Sequence, residues 1–406
     1  MTTFGFAIDH RACIGCHACT VACKMENDVP LGVFRTWVKY IEKGEFPTSR
    51  RYFSVLRCNH CTDAPCISIC PTNALYKREN GIVDFDSGSC IGCKSCMQAC
   101  PYDALYIEPE THTAAKCNFC AHRIEVGLEP ACVIVCPTHA IVAGDLDDPA
   151  SEIARMIATQ ETQVRAPEKG TGPNVFYLGA DEAALDPTLT SQPDDYMWSE
   201  TGLLDGQLQP RLNEADSRAK TTYDVEHPIL WGWKVSAYLW TKSVAGGALL
   251  IAIAALFAGH TDRWLLRGFA PVLAGAMTAV TGFLLVWDLK RPERFLYIIF
   301  RSNFSSWLVR GAYVLAIHAA ISGTWFLSYM FDADGVIDVL RWPGIPVAAM
   351  VAAYTAFLFG QAKGRDLWLS PMLAVVLVAQ AAAAGAAALG IVAVARDADD
   401  GLQRFL

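Results

Sequence analysis

The sequence predicts an α+β N-terminal half followed by an all-α membrane half, and three observations carry that prediction. All 16 cysteines lie between Cys13 and Cys136. Nine of the 11 tryptophans lie after residue 230. The same C-terminal part runs through five long apolar stretches. Charge divides at the same place: from residue 227 onward 14 Lys and Arg stand against 10 Asp and Glu, whereas the first 226 residues carry 19 against 31. An acidic first half argues against nucleic acid as a partner, because phosphate binding needs a basic footprint. At 406 residues the chain is long enough for two or three domains.

The cysteines fall into four groups. The first and third share one form, Cys13-x2-Cys16-x2-Cys19-x3-Cys23 and Cys90-x2-Cys93-x2-Cys96-x3-Cys100. The second is Cys58-x2-Cys61-x4-Cys66-x3-Cys70, and the fourth Cys117-x2-Cys120-x11-Cys132-x3-Cys136. Disulfides suit exported chains, and MTTFGFAIDH has no charged n-region, apolar h-region or twin-arginine pair. Zinc sites usually take two thiolates from each of two knuckles. Three cysteines within seven residues instead wrap one face of an iron–sulfur cube, and a fourth three residues on reaches a neighbouring cluster. The spacing therefore reads as iron–sulfur.

An internal repeat agrees with this reading. CPTNAL (70–75), CPYDAL (100–105) and CPTHAI (136–141) follow the last cysteines of groups two to four. ALYKRENGIVDFD, between groups two and three, reads as a hairpin turning at Asn80-Gly81. The half is thus expected to be ferredoxin-like, with short helices and strands around paired clusters. His17, His60, His122 and His139 sit near ligands as hydrogen-bond donors to sulfur or as solvent-facing residues. Lys24, Arg57, Lys94 and Lys116 either offset cluster charge or lie on the surface. GTGPN (170–174) lacks the third glycine and the strand–turn–helix setting of a dinucleotide loop.

Residues 4–180 resemble the four-cluster ferredoxin subunit of the dimethyl sulfoxide reductase and polysulfide reductase family. The resemblance rests on FGFAIDHRACIGCHACTVACK, RCNHCTDAPCISICPTNALYKRENGIVDFD, SCIGCKSCMQACPYDA and KCNFCAHRIEVGLEPACVIVCPTHAI. In that family the outer groups exchange their last ligands, as do the inner groups. Carried over, one cluster takes Cys13, Cys16, Cys19 and Cys136, and another takes Cys117, Cys120, Cys132 and Cys23. The inner pair takes Cys58, Cys61, Cys66 with Cys100, and Cys90, Cys93, Cys96 with Cys70. Relatives that replace one cysteine hold a three-iron cluster. Every position is filled here, which implies four [4Fe–4S] clusters.

Domain boundaries are expected at 1–185 for the cluster half, 186–226 for an extended polar connector rich in Pro, Asp and Ser, and 227–406 for the membrane half. Spans are expected near 236–258, 268–287, 306–330, 343–361 and 369–395, each about the length a crossing helix needs. Trp264, Trp287, Trp307, Trp342 and Trp368 fall near their ends, where interfacial indoles belong. YLWTKSVAGGALL, LVWDLKRPERFLYIIF and SWLVRGAYVL are similar to the NrfD-like membrane subunits of polysulfide and nitrite reductases. Full members have about eight spans, so the resemblance implies that a further membrane subunit completes the assembly.

Bis-histidine haem needs two imidazoles at one depth. Only His318 lies well inside a span, with His227 and His260 at or outside span ends, so no haem is expected. Quinone, menaquinone or ubiquinone, needs only an apolar slot and a few polar contacts. Ionisable residues at membrane depth are functional candidates, which here are Tyr238, Lys242, Asp288, Arg291, Arg294, Arg310 and His318. In the bland readings Lys242 snorkels, Arg310 pairs with Asp288 and Tyr238 belongs to the aromatic belt.

With five spans, the cluster half shares a face with Lys290, Arg291, Arg294, Arg301, Lys363 and Arg365, against Arg263, Arg267, Arg341, Arg396 and Arg404 opposite. With the missing export signal, this slight bias favours clusters on the cytoplasmic side of a bacterial or archaeal membrane. The resemblance implies an electron-transfer, quinone-reacting subunit whose molybdopterin partner performs the substrate chemistry, for example on sulfite or another sulfur compound. Competing readings are a module of an ion-translocating or quinol-oxidising complex with a hydrogenase or cytochrome partner, and a membrane-tethered polyferredoxin without a quinone site.

Overall fold

The computed structural model describes residues 2–44, 47–191, 219–226 and 231–406. The chain divides into two compact units. The first comprises Met1–Ile67, Leu75–Ser87 and Cys100–Pro228; the second comprises Ser68–Ala74, Gly88–Ala99 and Ile229–Leu406.

In the first unit, β1 (Phe4–Asp9) is the centre of a four-stranded sheet in the order β8-β1-β10-β9, with β8 at Ile141–Asp145, β9 at Thr162–Gln163 and β10 at Val175–Leu178. β1 runs parallel to β10 and antiparallel to β8. It is buried on both faces. Phe6 and Ile8 enter a core with Val38, Val55, Phe119 and Tyr177, while Ala7 meets Ile153 on the helix Glu152–Thr159. The Ser151 side chain caps that helix by accepting from Ala154 N at 3.1 Å. A second sheet has the order β11-β2-β3, with β2 at Thr36–Lys43, β3 at Arg50–Arg57 and β11 at Ala219–Tyr223.

Two hairpins complete the unit, β4–β5 (Leu75–Lys77, Val83–Phe85) and β6–β7 (Leu105–Ile107, Ala114–Lys116). The first turns at Asn80-Gly81 with Gly81 at φ 77°. Most of the connector expected over 186–226 lies outside the described residues. Where it is described, residues 219–223 of this extended segment form a strand paired with β2.

The second unit holds five helices long and apolar enough to cross a membrane: Trp233–Phe257, Arg263–Trp287, Trp307–Met330, Asp334–Gly360 and Leu373–Ala395. The number agrees with the sequence reading; some bounds do not. The second begins with a π-helical turn at Arg263–Phe269, capped by Asp262. The fourth starts well before Pro343 and carries Pro343 and Pro346 inside it. Its polar first turns hide from a hydropathy count but are neutralised, with Asp334 2.8 Å from Arg267 and Asp338 3.5 Å from Arg341. Gly247 on the first span and Gly385 on the fifth bring two backbones together. A Cβ on Gly247 would lie 1.8 Å from Ala381 O, and one on Gly385 2.0 Å from the Gly247 carbonyl carbon.

Candidate functional site

The cysteine loops share a backbone device. In the first Cys-x-x-Cys loop of each group the third position is left-handed: Gly15 at φ 70°, His60 at 43°, Gly92 at 67° and Phe119 at 63°. At Gly15 a Cβ would also meet the Phe53 ring at 2.4 Å. In all three Cys-Pro-x-x-Ala repeats the residue before Ala is left-handed as well: Asn73 at 54°, Asp103 at 50° and His139 at 50°. Asn, Asp and His tolerate this region better than most side chains. The repeat is therefore one turn used three times.

No disulfide joins any of the sixteen cysteines. Cys13, Cys16, Cys19 and Cys136 line one hollow with Ile14, His17, Val38 and Val55. Burial raises the Cys23 thiol pKa, and the nearby Cys117, Cys132 and Cys120 raise it further. Burial likewise lifts Cys100, with Cys66 and Cys58 as its cysteine neighbours. Cys93 is pushed up to about 12 by burial, then by Cys70 and Cys90. Each exchanged last cysteine thus lies near members of the set that the resemblance implies. Among the described residues no three His, Cys, Asp or Glu side chains converge on a single ion.

Buried polar atoms without partners gather at these sets. They include Arg57 Nε and Nη2, Thr20 Oγ1 and Ser95 Oγ, which are donors suited to sulfur acceptors. His122 and His139 are exposed, as the solvent-facing alternative has it, and His17 and His60 have other partners than sulfur. His60 Nδ1 accepts from Val83 N at 3.2 Å, His122 pairs with Glu26 at 2.8 Å, and His17 packs on Tyr40 and Tyr223. The side chains that reach cysteine sulfur include Arg57, 3.2 Å from Cys132 Sγ, Asn27, 3.7 Å from Cys120 Sγ, and Thr138, 3.9 Å from Cys136 Sγ. Asn27 carries no motif signal; Arg57 was visible only as a basic residue beside Cys58.

Cys70, Cys90, Cys93 and Cys96 all belong to the second unit. Arg294 Nη1 donates to Cys90 O at 3.1 Å, Asn303 Nδ2 to Cys70 O at 2.8 Å, and Trp231 Nε1 to Cys93 O at 3.5 Å. Main-chain bonds run from Lys290 N to Gly92 O and from Arg291 N to Ile91 O, both 3.2 Å, and from Asn303 N to Pro71 O at 3.0 Å. Ser306 Oγ donates to Ile69 O at 2.6 Å. Trp231 stacks on Trp368 at 5.4 Å, and Trp368 on Phe359 at 4.4 Å.

The seven membrane candidates do not form one cluster. Tyr238 is buried near the start of the first span, packed with Val235 and Leu284 and within electrostatic range of Asp288 and Tyr354. Asp288 caps the second span, where both its oxygens lie 3.0 Å from Lys94 Nζ. That corrects one expectation. Arg310 does not pair with Asp288: it is exposed, donates to Phe304 O at 2.7 Å and covers the Trp307 ring. Arg291 pairs with Glu293, and Arg294 donates to the Cys90 carbonyl. Lys242 does not snorkel. It is fully buried, donates to Ala352 O at 3.2 Å and to the Thr355 hydroxyl, and lies 4.5 Å from the Tyr354 ring centroid. His318 is buried deeper, with Nδ1 2.9 Å from the Thr278 hydroxyl. His227 falls outside the described residues, and GTGPN is a packing loop whose Thr171 and Gly172 bond Tyr102 and Thr62.

Residues 49–146 match the family described as a 4Fe-4S dicluster domain, and residues 222–401 match the family described as polysulphide reductase, NrfD. A tetrathionate reductase subunit of Salmonella typhimurium is 46% identical over 202 residues, covering 48% of this chain and 80% of the relative. A polysulfide reductase subunit of Wolinella succinogenes is 43% identical over 180 residues, covering 43% and 93% respectively. Protein NrfC of Escherichia coli is 42% identical over 176 residues, covering 43% and 79%.

Proposed function

Because this chain belongs to the iron–sulfur subunits of the tetrathionate and polysulfide reductase type, here joined to an NrfD-type membrane domain, we propose that it relays electrons between a molybdopterin-containing catalytic subunit and quinone. The relay consists of four [4Fe–4S] clusters, on Cys13, Cys16, Cys19, Cys136; on Cys117, Cys120, Cys132, Cys23; on Cys58, Cys61, Cys66, Cys100; and on Cys90, Cys93, Cys96, Cys70. Bound there, the clusters supply one-electron transfer. The chain's own residues fix their spacing and polarity.

The observation that carries this reading is the shared unit of Cys70, Cys90, Cys93 and Cys96 with the five spans, through donors at Trp231, Arg294 and Asn303. A cluster bound by these four is built into the end of the helical unit. Cys16, by contrast, is exposed, with Ile14, Val21 and Met25 exposed on the chain around it. That first set is the entry side, against the catalytic partner.

Quinone binds beside the start of the first span, near Tyr238 and Asp288. The Tyr238 hydroxyl donates to one quinone carbonyl, and the Lys94–Asp288 pair forms the polar wall from which a proton is delivered. The clusters face the cytoplasm, and a further membrane subunit completes the assembly.

Purified protein tests the cluster reading. Four cubes require about 16 iron and about 16 inorganic sulfide per chain, with only [4Fe–4S] signals in the reduced protein and a molybdenum-containing subunit co-purifying. About 12 iron, or a three-iron signal in the freshly oxidised protein, contradicts the four-cube assignment. A stoichiometric hydrogenase or cytochrome in place of the molybdenum subunit contradicts the partner.

A further inference from the structure

Arg57 ends β3, one residue before Cys58, and its side chain is fully buried. Nη1 donates to Cys132 Sγ at 3.2 Å, and the guanidinium carbon lies 4.4 Å from the centroid of the Phe6 ring. Nε and Nη2 are buried without any partner. No carboxylate among the described residues pairs with this cation. Its positive charge instead bears on three sulfurs: Cys132, which it touches, and Cys117 and Cys19, which lie within its electrostatic reach, with Cys19 in the same core cluster as Cys132 and Phe6.

Those thiols belong to two different ligand sets. Cys132 and Cys117 belong with Cys120 and Cys23, whereas Cys19 belongs with Cys13, Cys16 and Cys136. An unpaired buried cation is costly, on the order of several kcal/mol after relaxation. A lone sulfur contact and an aromatic face offset only part of that. Two anionic clusters on either side would offset it, and would supply acceptors for the two nitrogens that have none.

We propose that Arg57 is the shared counter-cation of these two clusters, a positioning residue that donates toward both and raises both reduction potentials together. The inference rests on the ligand sets proposed above. An added electron makes a cluster more negative, so a fixed cation and N–H donors favour the reduced form. Two clusters beside one guanidinium are lifted as a pair. The sets containing Cys100 and Cys70 are left where they are.

The test is a redox titration, followed by electron paramagnetic resonance, of full-length protein with wild-type iron and sulfide content. In Arg57→Met and Arg57→Gln two of the four midpoint potentials fall and two stay. Gln keeps a donor toward Cys132, so its shift isolates the charge. In Arg57→Lys the two potentials return most of the way. Four unchanged potentials in a neutral variant with full iron reduce Arg57 to a packing residue and overturn the proposal, as does an equal fall in all four. If the neutral variants lose iron, Arg57→Lys decides: full iron with near-wild-type potentials supports the counter-cation, and loss of iron there too overturns it. Wild-type protein with fewer than four cubes counts against the ligand sets, not against Arg57.

Discussion

Lys94 Nζ lies 3.0 Å from both carboxylate oxygens of Asp288. This ion pair joins the residue after Cys93 to the end of the second span. Both side chains are mostly withdrawn from solvent, at 9% and 17% exposure. Removing either partner leaves the other charge half-desolvated. Lys94→Met and Asp288→Leu should each destabilise the protein by roughly 1–3 kcal/mol. The double variant should lose less than the sum, by about 1 kcal/mol or more. Thermal unfolding in detergent measures the cycle, and strictly additive losses would show that the two residues are not coupled.

Cys23 lies among Cys117, Cys120 and Cys132 although it follows Cys19 by four residues. Cys23→Ser should therefore disturb the spectrum and potential of the cluster on Cys117, Cys120 and Cys132, and leave the one on Cys13, Cys16 and Cys19 unchanged. The opposite pattern, resolved by resonance spectra of the reduced variant, would mean four local clusters.

Asn303 donates to the carbonyl of Cys70, 2.8 Å away. Turning that carbonyl's negative end toward a donor makes it a weaker repulsion for an added electron. Asn303→Leu should lower one midpoint potential of the four, with iron content unchanged. A titration in which no potential moves would separate the membrane-side contacts from the cluster's electronics.

The cysteine loops and the number of spans were legible in sequence. Both need only local rules: cluster loops recur as motifs, and a span is a count of apolar residues. The rest is tertiary. The partner of Asp288 is Lys94, 194 residues away, and no pattern in either segment points to the other. Arg310 was the plausible choice because it is close in sequence and oppositely charged, yet it turns outward to the Phe304 carbonyl. The fourth span's polar start escaped notice because its charges are paired by arginines on its own and another helix. Strand β11 escaped because its residues, AKTTY, have no apolar alternation and depend on β2 for their pairing.

His10 gives a pH dependence of defined sign. Both ring nitrogens are buried without partners, and the ring packs edge-on against Tyr177 at 5.2 Å. Burial lowers its pKa from 6.5 to about 4, with the neighbouring Asp9 opposing. The unfolded chain takes up this proton near 6.5 and the folded protein only near 4, so the unfolded state binds more protons in between. The contribution is complete above 6.5 and is lost as pH falls toward 4, by up to about 3 kcal/mol. Denaturant midpoints should fall between pH 7 and pH 5 more steeply in the wild type than in His10→Gln. Equal slopes would remove His10 from the account.

The central claim is that electrons pass from the cysteine-bound clusters to quinone within this chain. The most direct measurement is stopped-flow absorbance of full-length protein in liposomes, reduced stoichiometrically with dithionite and mixed with a menaquinone or ubiquinone analogue. The account predicts that quinone reoxidises all the clusters. It also predicts that Tyr238→Phe and Asp288→Asn slow that step at least about tenfold, roughly 1.4 kcal/mol in barrier, with iron content and reduction by dithionite unchanged. Clusters that stay reduced in the presence of quinone would contradict the relay. Wild-type rates in both variants would contradict the site at Tyr238 and Asp288.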